Sequence, residues 1–193
     1  MADQNMKSLE IIPKYIEQSS WWQHVPVAHW IIAEIKPKVV VELGTHYGVS
    51  FFAFCEAAEA YAKECFVYAV DSWEGDEQSG KYGGEVLNTV KKHWLKNHKK
   101  NSRLIKSKFE DAIKYFGDGK IDLLHIDGFH TYEAVKNDFE SWRSKLSDSA
   151  IIIFHDINVR ENNFGVWKFW EEVKEMKEYK HVELLNGHGL GIA

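Results

Sequence analysis

Acidic residues and histidines cluster at the ends of short apolar runs in this chain. The acidic residues are Glu42, Asp71, Asp127 and Asp156, and the histidines are His125, His130 and His155. Carboxylates and imidazoles can take up protons, hold a divalent cation, or accept hydrogen bonds from the hydroxyls of a ligand. Any one of them could be a solvated strand end. All of them together at one edge of a sheet predict a functional site.

Alternating segments predict the sheet that would bring these residues together. Apolar runs of strand length alternate with helix-length segments from Lys38 onward. This alternation is typical of an α/β domain with a mostly parallel sheet and helices on both faces. The predicted strands cover residues 39–43, 65–70, 103–106, 121–126, 150–154, 181–185 and 190–193, and the predicted helices cover residues 49–63, 85–97, 109–116, 131–146 and 164–178. Ligands of such folds bind at the carboxyl ends of the strands, where the acidic residues and histidines lie.

The length of 193 residues predicts one domain. Within it, residues 1–37 are predicted to form a helical flap ahead of a core formed by residues 38–193. An amphipathic helix is predicted over residues 7–18, although Pro13 makes an uninterrupted helix unfavourable. Pro26 can open a second helix, which stops before the next proline. The apolar positions of the first predicted helix are Leu9, Ile12, Tyr15 and Ile16.

The stretch E-L-G-T-H-Y-G-V-S, residues 42–50, joins a buried strand to a helix through a glycine turn. Such a turn lets a ligand approach the backbone closely. Gly44 and Gly48 have three residues between them, unlike the G-x-G-x-x-G of dinucleotide sites, and no G-x-x-x-x-G-K-[ST] P-loop occurs. Asp71, which ends the next strand, could accept two hydrogen bonds from a ribose diol. The three-residue spacing of the two glycines disfavours a nicotinamide-dependent oxidoreductase.

These residues resemble class I S-adenosylmethionine-dependent methyltransferases. Further stretches resemble one subgroup, methyltransferase family 24, near the macrocin O-methyltransferase and cephalosporin hydroxylase-like proteins. They are D-S-W-E-G-D-E-Q-S-G-K-Y-G, I-D-L-L-H-I-D-G-F-H-T-Y-E-A-V-K-N-D-F, F-H-D-I-N-V and G-H-G-L-G-I-A. The resemblance covers residues 38–193 and implies a Rossmann-like seven-stranded sheet of order 3-2-1-4-5-7-6 with an antiparallel strand in the closing hairpin.

The resemblance also implies which residues hold S-adenosyl-L-methionine. The turn would bind the methionine part through backbone groups, and Asp71 would bind the ribose. Ser107, Phe109 and Glu110, which follow the third strand, would border the adenine. Asp127 would lie beneath the sulfonium. The cofactor residues expected on this basis are Glu42, Gly44, Thr45, His46, Tyr47, Gly48, Ser50, Asp71, Ser72, Trp73, Phe109, Glu110 and Asp127.

Methyl transfer requires an acceptor to be aligned and to lose its proton. His130 and His155 are candidate general bases beside the catalytic Asp127. A divalent metal such as Mg²⁺ could instead lower the acceptor pKa. Catechol O-methyltransferase-like enzymes, which the chain resembles here, use an Asp after the fourth strand and an Asp-Asn pair after the fifth. Asp127 and Asp156 match these metal ligands, but Asp156 is followed by Ile157 and Asn158 comes one position later, so His130 or His155 would complete the set.

Three features permit both a structural and a functional interpretation. The tryptophans at positions 21, 22 and 30 are more simply explained by core packing than by a lid. His125 is more simply explained as a polar residue on a strand flank. Residues 72–84 form either a flexible surface loop or a lid over the acceptor. The lid residues would be Trp73, Asp76 and Tyr82, and the acceptor contacts expected overall are Trp73, Tyr82, His130 and His155.

Composition excludes several partners. The net charge is −5, the basic run over residues 91–108 is explained by a solvated face, and the N-P-P-[YF] motif of DNA-methylating enzymes is absent. No apolar run approaches the roughly 18 to 20 residues of a membrane span, and no secretory signal opens the chain. Cys55 and Cys65 form no disulfide framework. We therefore expect a cytoplasmic protein that binds neither nucleic acid nor membranes.

The predicted function is O-methylation of a small hydroxylated molecule or a sugar. The alternative is a non-catalytic S-adenosylmethionine-binding accessory module, which would share the glycine turn and Asp71 but would not require Asp127, His130, His155 or Asp156. The aromatic N-terminal segment could also pack against a second copy in a homodimer.

Overall fold

The computed structural model describes residues 11–76 and 80–193, which form a seven-stranded sheet and a short two-stranded hairpin. The strands are β1 (Val39–Leu43), β2 (Phe66–Asp71), β3 (Gly75–Asp76), β4 (Gly80–Lys81), β5 (Ser102–Lys106), β6 (Ile121–Ile126), β7 (Leu146–His155), β8 (Val182–Leu184) and β9 (Leu190–Ile192). The sheet has the order β5-β2-β1-β6-β7-β9-β8. When the β3–β4 hairpin is left out of the numbering, this order is the predicted 3-2-1-4-5-7-6. Strand β9 runs antiparallel to both neighbours, the other pairs of the seven-stranded sheet are parallel, and the β3–β4 hairpin is antiparallel.

Helices cover both faces of the sheet, as predicted. They are α1 (Val25–Ile35), α2 (Val49–Tyr61), α3 (Gly84–Asn97), α4 (Phe109–Ala112), α5 (Tyr132–Trp142) and α6 (Val166–Glu175). Because side chains alternate along a strand, Val40 packs with the layer of α1, α2 and α3, whereas Val41 and Leu43 pack with the layer of α4, α5 and α6. Because helices bury both faces of the sheet, strands such as β1 and β6 are apolar along nearly their whole length.

The chain order of the sheet reverses at β1, which lies between β2 and β6. In doubly wound folds this reversal opens a crevice outside the carboxyl ends of the strands. The loops after β1, β2, β5, β6 and β7 therefore meet at one edge, and the predicted site residues lie on those loops.

The predicted helix over residues 7–18 is wrong for the part that the structure describes, because residues 11–19 form no helix there. Their burial alternates instead, so that Tyr15 is 8% exposed while Ile12 and Ile16 are 87% and 74% exposed. Pro13 cannot support the preceding helical turn. The Tyr15 hydroxyl donates to the carbonyl oxygen of Tyr47 at 2.8 Å, which attaches this extended segment to the glycine turn. We call residues 11–19 the N-terminal strap.

The helical part of the N-terminal region begins after the strap. A 3₁₀ turn, Ser20–His24, leads into α1 with Pro26 in its first turn, as predicted. The segment 72–84, expected to be a loop, contains the β3–β4 hairpin, and residues 77–79 lie outside the described part of the chain. No helix among the described residues is long and apolar enough to cross a membrane.

Candidate functional site

The glycine turn after β1 has positive φ at both of its glycines. Gly44 has φ +88° and Gly48 has φ +86°, in a region that favours glycine. A Cβ on Gly44 would lie 2.0 Å from the carbonyl oxygen of Asp127, so only glycine allows the ends of β1 and β6 to approach this closely. Gly48 immediately precedes α2. The turn thus places the start of α2 beside the end of β6.

Asp71 holds this turn in place through its carboxylate. Its Oδ2 accepts the N–H groups of Thr45 and His46 at 2.8 and 2.9 Å, and its Oδ1 accepts the N–H of Trp73 at 2.6 Å. The residue is 7% exposed. Hydrogen bonds from several backbone N–H groups to one carboxylate are strong. Asp71 therefore joins the end of β2 to the turn after β1.

Asp127, His130 and Asp156 form a cluster whose donor atoms all lie within 4.8 Å of one another. The Nε2 of His130 is 3.0 Å from Asp156 Oδ2 and 3.6 Å from Asp127 Oδ1. The imidazole stacks on Phe164 with a centroid distance of 4.5 Å, which orients the ring. Two carboxylates and one imidazole at this spacing can share a proton or hold a divalent cation.

Charge coupling within the cluster shifts the pKa of each member. Burial alone would lower the pKa of His130, but hydrogen bonds to Asp127 and Asp156 raise it to about 9. Burial alone would raise the pKa of Asp156, but His130 and His155 lower it to about 2. Burial alone would also raise the pKa of Asp127, but the same two histidines lower it well below its usual value. Both carboxylates are therefore ionised at neutral pH.

His155 lies behind the two carboxylates and is 2% exposed. Its Nδ1 is 3.1 Å from Asp127 Oδ1, and its Nε2 is 3.1 Å from the carbonyl oxygen of Gly187. Both partner atoms are acceptors, so both ring nitrogens donate and the ring is a cation. Although burial lowers the pKa of His155, the two aspartates raise it to about 10. His155 therefore has no unprotonated ring nitrogen with which to act as the predicted base.

A cavity of about 940 Å³ joins the glycine turn to this cluster. It is large enough for a cofactor together with a small acceptor. The predicted site residues in its wall are Gly44, Thr45, His46, Tyr47, Gly48, Ser50, Asp71, Ser72, Tyr82, Ser107, Phe109, Glu110, Asp127, His130, His155 and Asp156.

A scan against family models matches residues 41–157 to a family described as a methyltransferase domain. The chain belongs to this methyltransferase family. The chain is also 43% identical over 176 residues to the uncharacterized protein y4gI of Sinorhizobium fredii (strain NBRC 101917 / NGR234), a match that covers 90% of this chain and 19% of the relative. The chain thus spans about a fifth of the length of that curated relative.

Solved structures of methyltransferases share the fold of the chain. A Staphylococcus aureus protein assigned as a caffeoyl-CoA O-methyltransferase superposes with a TM-score of 0.70 at 16% identity, over 98% of this chain and 88% of that one. The Podospora anserina methyltransferase PaMTH1, solved with S-adenosylhomocysteine, superposes with a TM-score of 0.68 at 14% identity, over 99% of this chain and 85% of that one. The chain therefore has the Rossmann-like fold of S-adenosylmethionine-dependent methyltransferases.

Two predicted residues of this methyltransferase domain lie behind the cavity wall. Glu42 is fully buried, and its Oε2 lies 2.9 Å from Nδ1 of His125. The Nε2 of His125 accepts the indole N–H of Trp21 at 3.2 Å, so His125 belongs to a buried network and is not an ordinary strand-flank residue. Trp73 is 2% exposed, and its indole N–H donates to the carbonyl oxygen of His46 at 3.0 Å. Trp73 therefore supports the turn from within, whereas Glu42 joins β1 to β6 through His125.

Sequence reasoning missed several residues of the cavity wall. Gln18 and Ser19 at the end of the strap, and Ser20 at the start of the 3₁₀ turn, reach it because the strap crosses the carboxyl edge of the sheet. Trp21, for which core packing was preferred to a lid, packs in the core and also lines the cavity. His188, in the turn between β8 and β9, has its Nδ1 3.1 Å from Asp156 Oδ1. Only the closing G-H-G-L-G-I-A stretch signalled this histidine. Phe164, which stacks on His130, is another wall residue that the sequence did not signal.

Proposed function

We propose that this methyltransferase transfers the methyl group of S-adenosyl-L-methionine to a hydroxyl oxygen of a small hydroxylated molecule or a sugar. The observation that carries the proposal is the joining of two features in one cavity, the glycine turn and the Asp127–His130–Asp156 cluster. The Staphylococcus aureus neighbour assigned as an O-methyltransferase and the S-adenosylhomocysteine bound to PaMTH1 support it by analogy.

The cofactor half of the proposed site is the turn of residues 44–50 with Asp71, Ser72, Phe109 and Glu110. S-adenosyl-L-methionine supplies an electrophilic methyl group on a sulfonium. The remaining acceptor positions of the Asp71 carboxylate would take the ribose hydroxyls, because each carboxylate oxygen has more than one lone pair. Phe109 would cover the adenine face, and a Cβ on Gly128 would lie 2.4 Å from the Phe109 ring, so glycine is needed for this packing.

The acceptor half of the proposed site is the cluster with Tyr82 and Phe164. The acceptor hydroxyl loses its proton as its oxygen forms the new C–O bond, and the cluster takes up this proton. His130, which its ion pairs with Asp127 and Asp156 keep protonated at neutral pH, would accept this proton as a base only where the bound acceptor displaces those contacts. Alternatively, a divalent metal on the two aspartates would make the hydroxyl more acidic. His155 would keep the carboxylates oriented through its two hydrogen bonds.

The test is to measure binding and transfer on the same protein. S-adenosylhomocysteine binding is measured by calorimetry, and transfer from methyl-labelled S-adenosyl-L-methionine is measured against a panel of sugars and phenols, with and without divalent metals. We expect Asp127→Ala and Asp156→Ala to lose transfer, whereas Asp148→Asn, an exposed control in β7, should change neither property. Binding without transfer to any acceptor would favour the accessory module instead.

We also propose that the protein works in the cytoplasm. Cys55 and Cys65 are both buried free thiols. Free thiols are the usual state of cysteines in a reducing compartment. Fractionation of the native host cells with an antibody to this chain would test this location.

A further inference from the structure

We propose that the Asp127–His130–Asp156 cluster binds a first-row transition metal in preference to Mg²⁺, with His130 as the nitrogen ligand. This inference rests on the proposed function, because it specifies the group with which the cluster would act on the acceptor. Its experiment is a metal-binding measurement, so it can fail while methyl transfer stands.

The donor atoms have the spacing of ligands that share one ion. Protein donors lie about 2.0–2.2 Å from Zn²⁺ or Mg²⁺, so neighbouring donors around one ion are roughly 3–3.5 Å apart. His130 Nε2 lies 3.0 Å from Asp156 Oδ2 and 3.6 Å from Asp127 Oδ1. All three residues line the cavity, which leaves the remaining coordination positions to water or to the acceptor.

The two residues after Asp156 make their contacts away from the cluster. Ile157 is apolar and 5% exposed in the core. The side-chain amide of Asn158 donates to the carbonyl oxygen of Leu185 at 3.3 Å, in the segment after β8. His155 also contacts both aspartates, but its Nε2 lies 3.1 Å from the carbonyl oxygen of Gly187 and the residue is 2% exposed. His130, between β6 and α5, contacts both aspartates and lines the cavity, so it is the third ligand that we infer.

Two other histidines hold the carboxylate of Asp156 from the opposite side. His155 Nδ1 lies 3.4 Å from Asp156 Oδ1, and His188 Nδ1 lies 3.1 Å from the same oxygen. These contacts engage Oδ1 and direct Oδ2 toward His130. Hydrogen bonds of this kind orient metal-ligating carboxylates and change metal affinity about 10–100-fold. The site thus has its own supporting contacts.

The nitrogen ligand determines which metals fit. Mg²⁺ prefers oxygen ligands in near-ideal octahedral geometry, whereas imidazole suits Zn²⁺, Fe²⁺ and Ni²⁺. Affinity for a mixed nitrogen and oxygen site also rises along the first-row transition series. Replacing the imidazole by an amide oxygen should therefore move the preference back toward Mg²⁺.

The experiment titrates the full metal-free chain with Co²⁺, whose visible absorption changes on coordination by protein ligands, and then displaces it with Mg²⁺. We expect wild type to bind Co²⁺ at least about 100-fold more tightly than Mg²⁺, and His130→Asn to reduce this ratio about 10-fold or more. Asp127→Asn should weaken both metals. His181→Asn, which changes an exposed histidine after α6, is the matched control and should leave the ratio unchanged.

Equal affinities for Co²⁺ and Mg²⁺ in wild type would overturn the inference, as would an unchanged ratio in a folded His130→Asn. The wild-type comparison decides the matter even where a variant fails to fold, and thermal unfolding identifies such a variant. S-adenosylhomocysteine binding is measured in the same samples. If the wild type does not bind S-adenosylhomocysteine, the proposed function is refuted. If it binds S-adenosylhomocysteine but shows no preference for Co²⁺ over Mg²⁺, only the metal inference is refuted.

Discussion

Replacing Asp71 by asparagine tests how the turn after β1 is held. The wild-type carboxylate accepts three backbone N–H groups, from Thr45, His46 and Trp73, at 2.8, 2.9 and 2.6 Å. An asparagine oxygen can still accept the first two. Its NH₂ group would then face the N–H of Trp73, which places two donors against each other. The substitution changes no volume, so its effect reports on hydrogen bonding.

The expected loss follows from these three bonds. A hydrogen bond to a charged group contributes about 1.5–3 kcal/mol and a neutral one about 0.5–1.5 kcal/mol. Losing the bond from Trp73 and weakening the other two should lower the free energy of unfolding by roughly 3–6 kcal/mol. Because Asp71 is 7% exposed, solvent screens these bonds little. The loss is a large part of the about 5–15 kcal/mol that stabilises a typical domain.

Urea unfolding of the protein without cofactor, followed by circular dichroism, measures this loss. In a thermal melt of the same variant the melting temperature should fall by about 6–24 °C, since each kcal/mol corresponds to roughly 2–4 °C at this chain length. Asp148→Asn, at an exposed position, is the control and should unfold like wild type. A loss below about 1 kcal/mol at an unchanged m-value would show that the carboxylate does not hold the turn.

Two further predictions concern the turn and the cluster. Gly44→Ala should prevent stable folding because its Cβ would lie 2.0 Å from the carbonyl oxygen of Asp127, whereas Gly119→Ala, at φ +67° with no atom within 4 Å, should cost only about 1–2 kcal/mol in urea unfolding. In the metal-free protein the pKa of His130 is raised to about 9, so its stabilising effect is complete below pH 6.5 and is lost as the pH rises through 9. The stability difference between wild type and His130→Gln should shrink over that range, and a constant difference would contradict the ion pairing with Asp156.

Local patterns predicted a mostly parallel sheet with the site at the carboxyl ends of its strands, whereas the strand order was implied by the resemblance to class I methyltransferases. Apolar runs alternate with helix-length segments, and this alternation allows few topologies once crossovers are right-handed. The sequence predicted that the turn with Gly44 and Gly48 lets a ligand approach the backbone, but the positive φ of both glycines and the contact of Gly44 with Asp127 became visible only in the structure. The strap was mispredicted because Ile12, Tyr15 and Ile16 fit a helical spacing, while the structure buries alternate residues.

Sequence by itself determined the strands and helices of the core along the chain, and the set of acidic residues and histidines at the strand ends, because hydrophobic periodicity and turn chemistry are local properties. Only the tertiary structure decided which of them face the cavity. Glu42 and His125 pair behind the wall, while Asp127, His130 and Asp156 meet within it. His188 joins them from a hairpin 32 residues beyond Asp156. Such meetings depend on strand register and loop packing across the sheet, which no local pattern encodes.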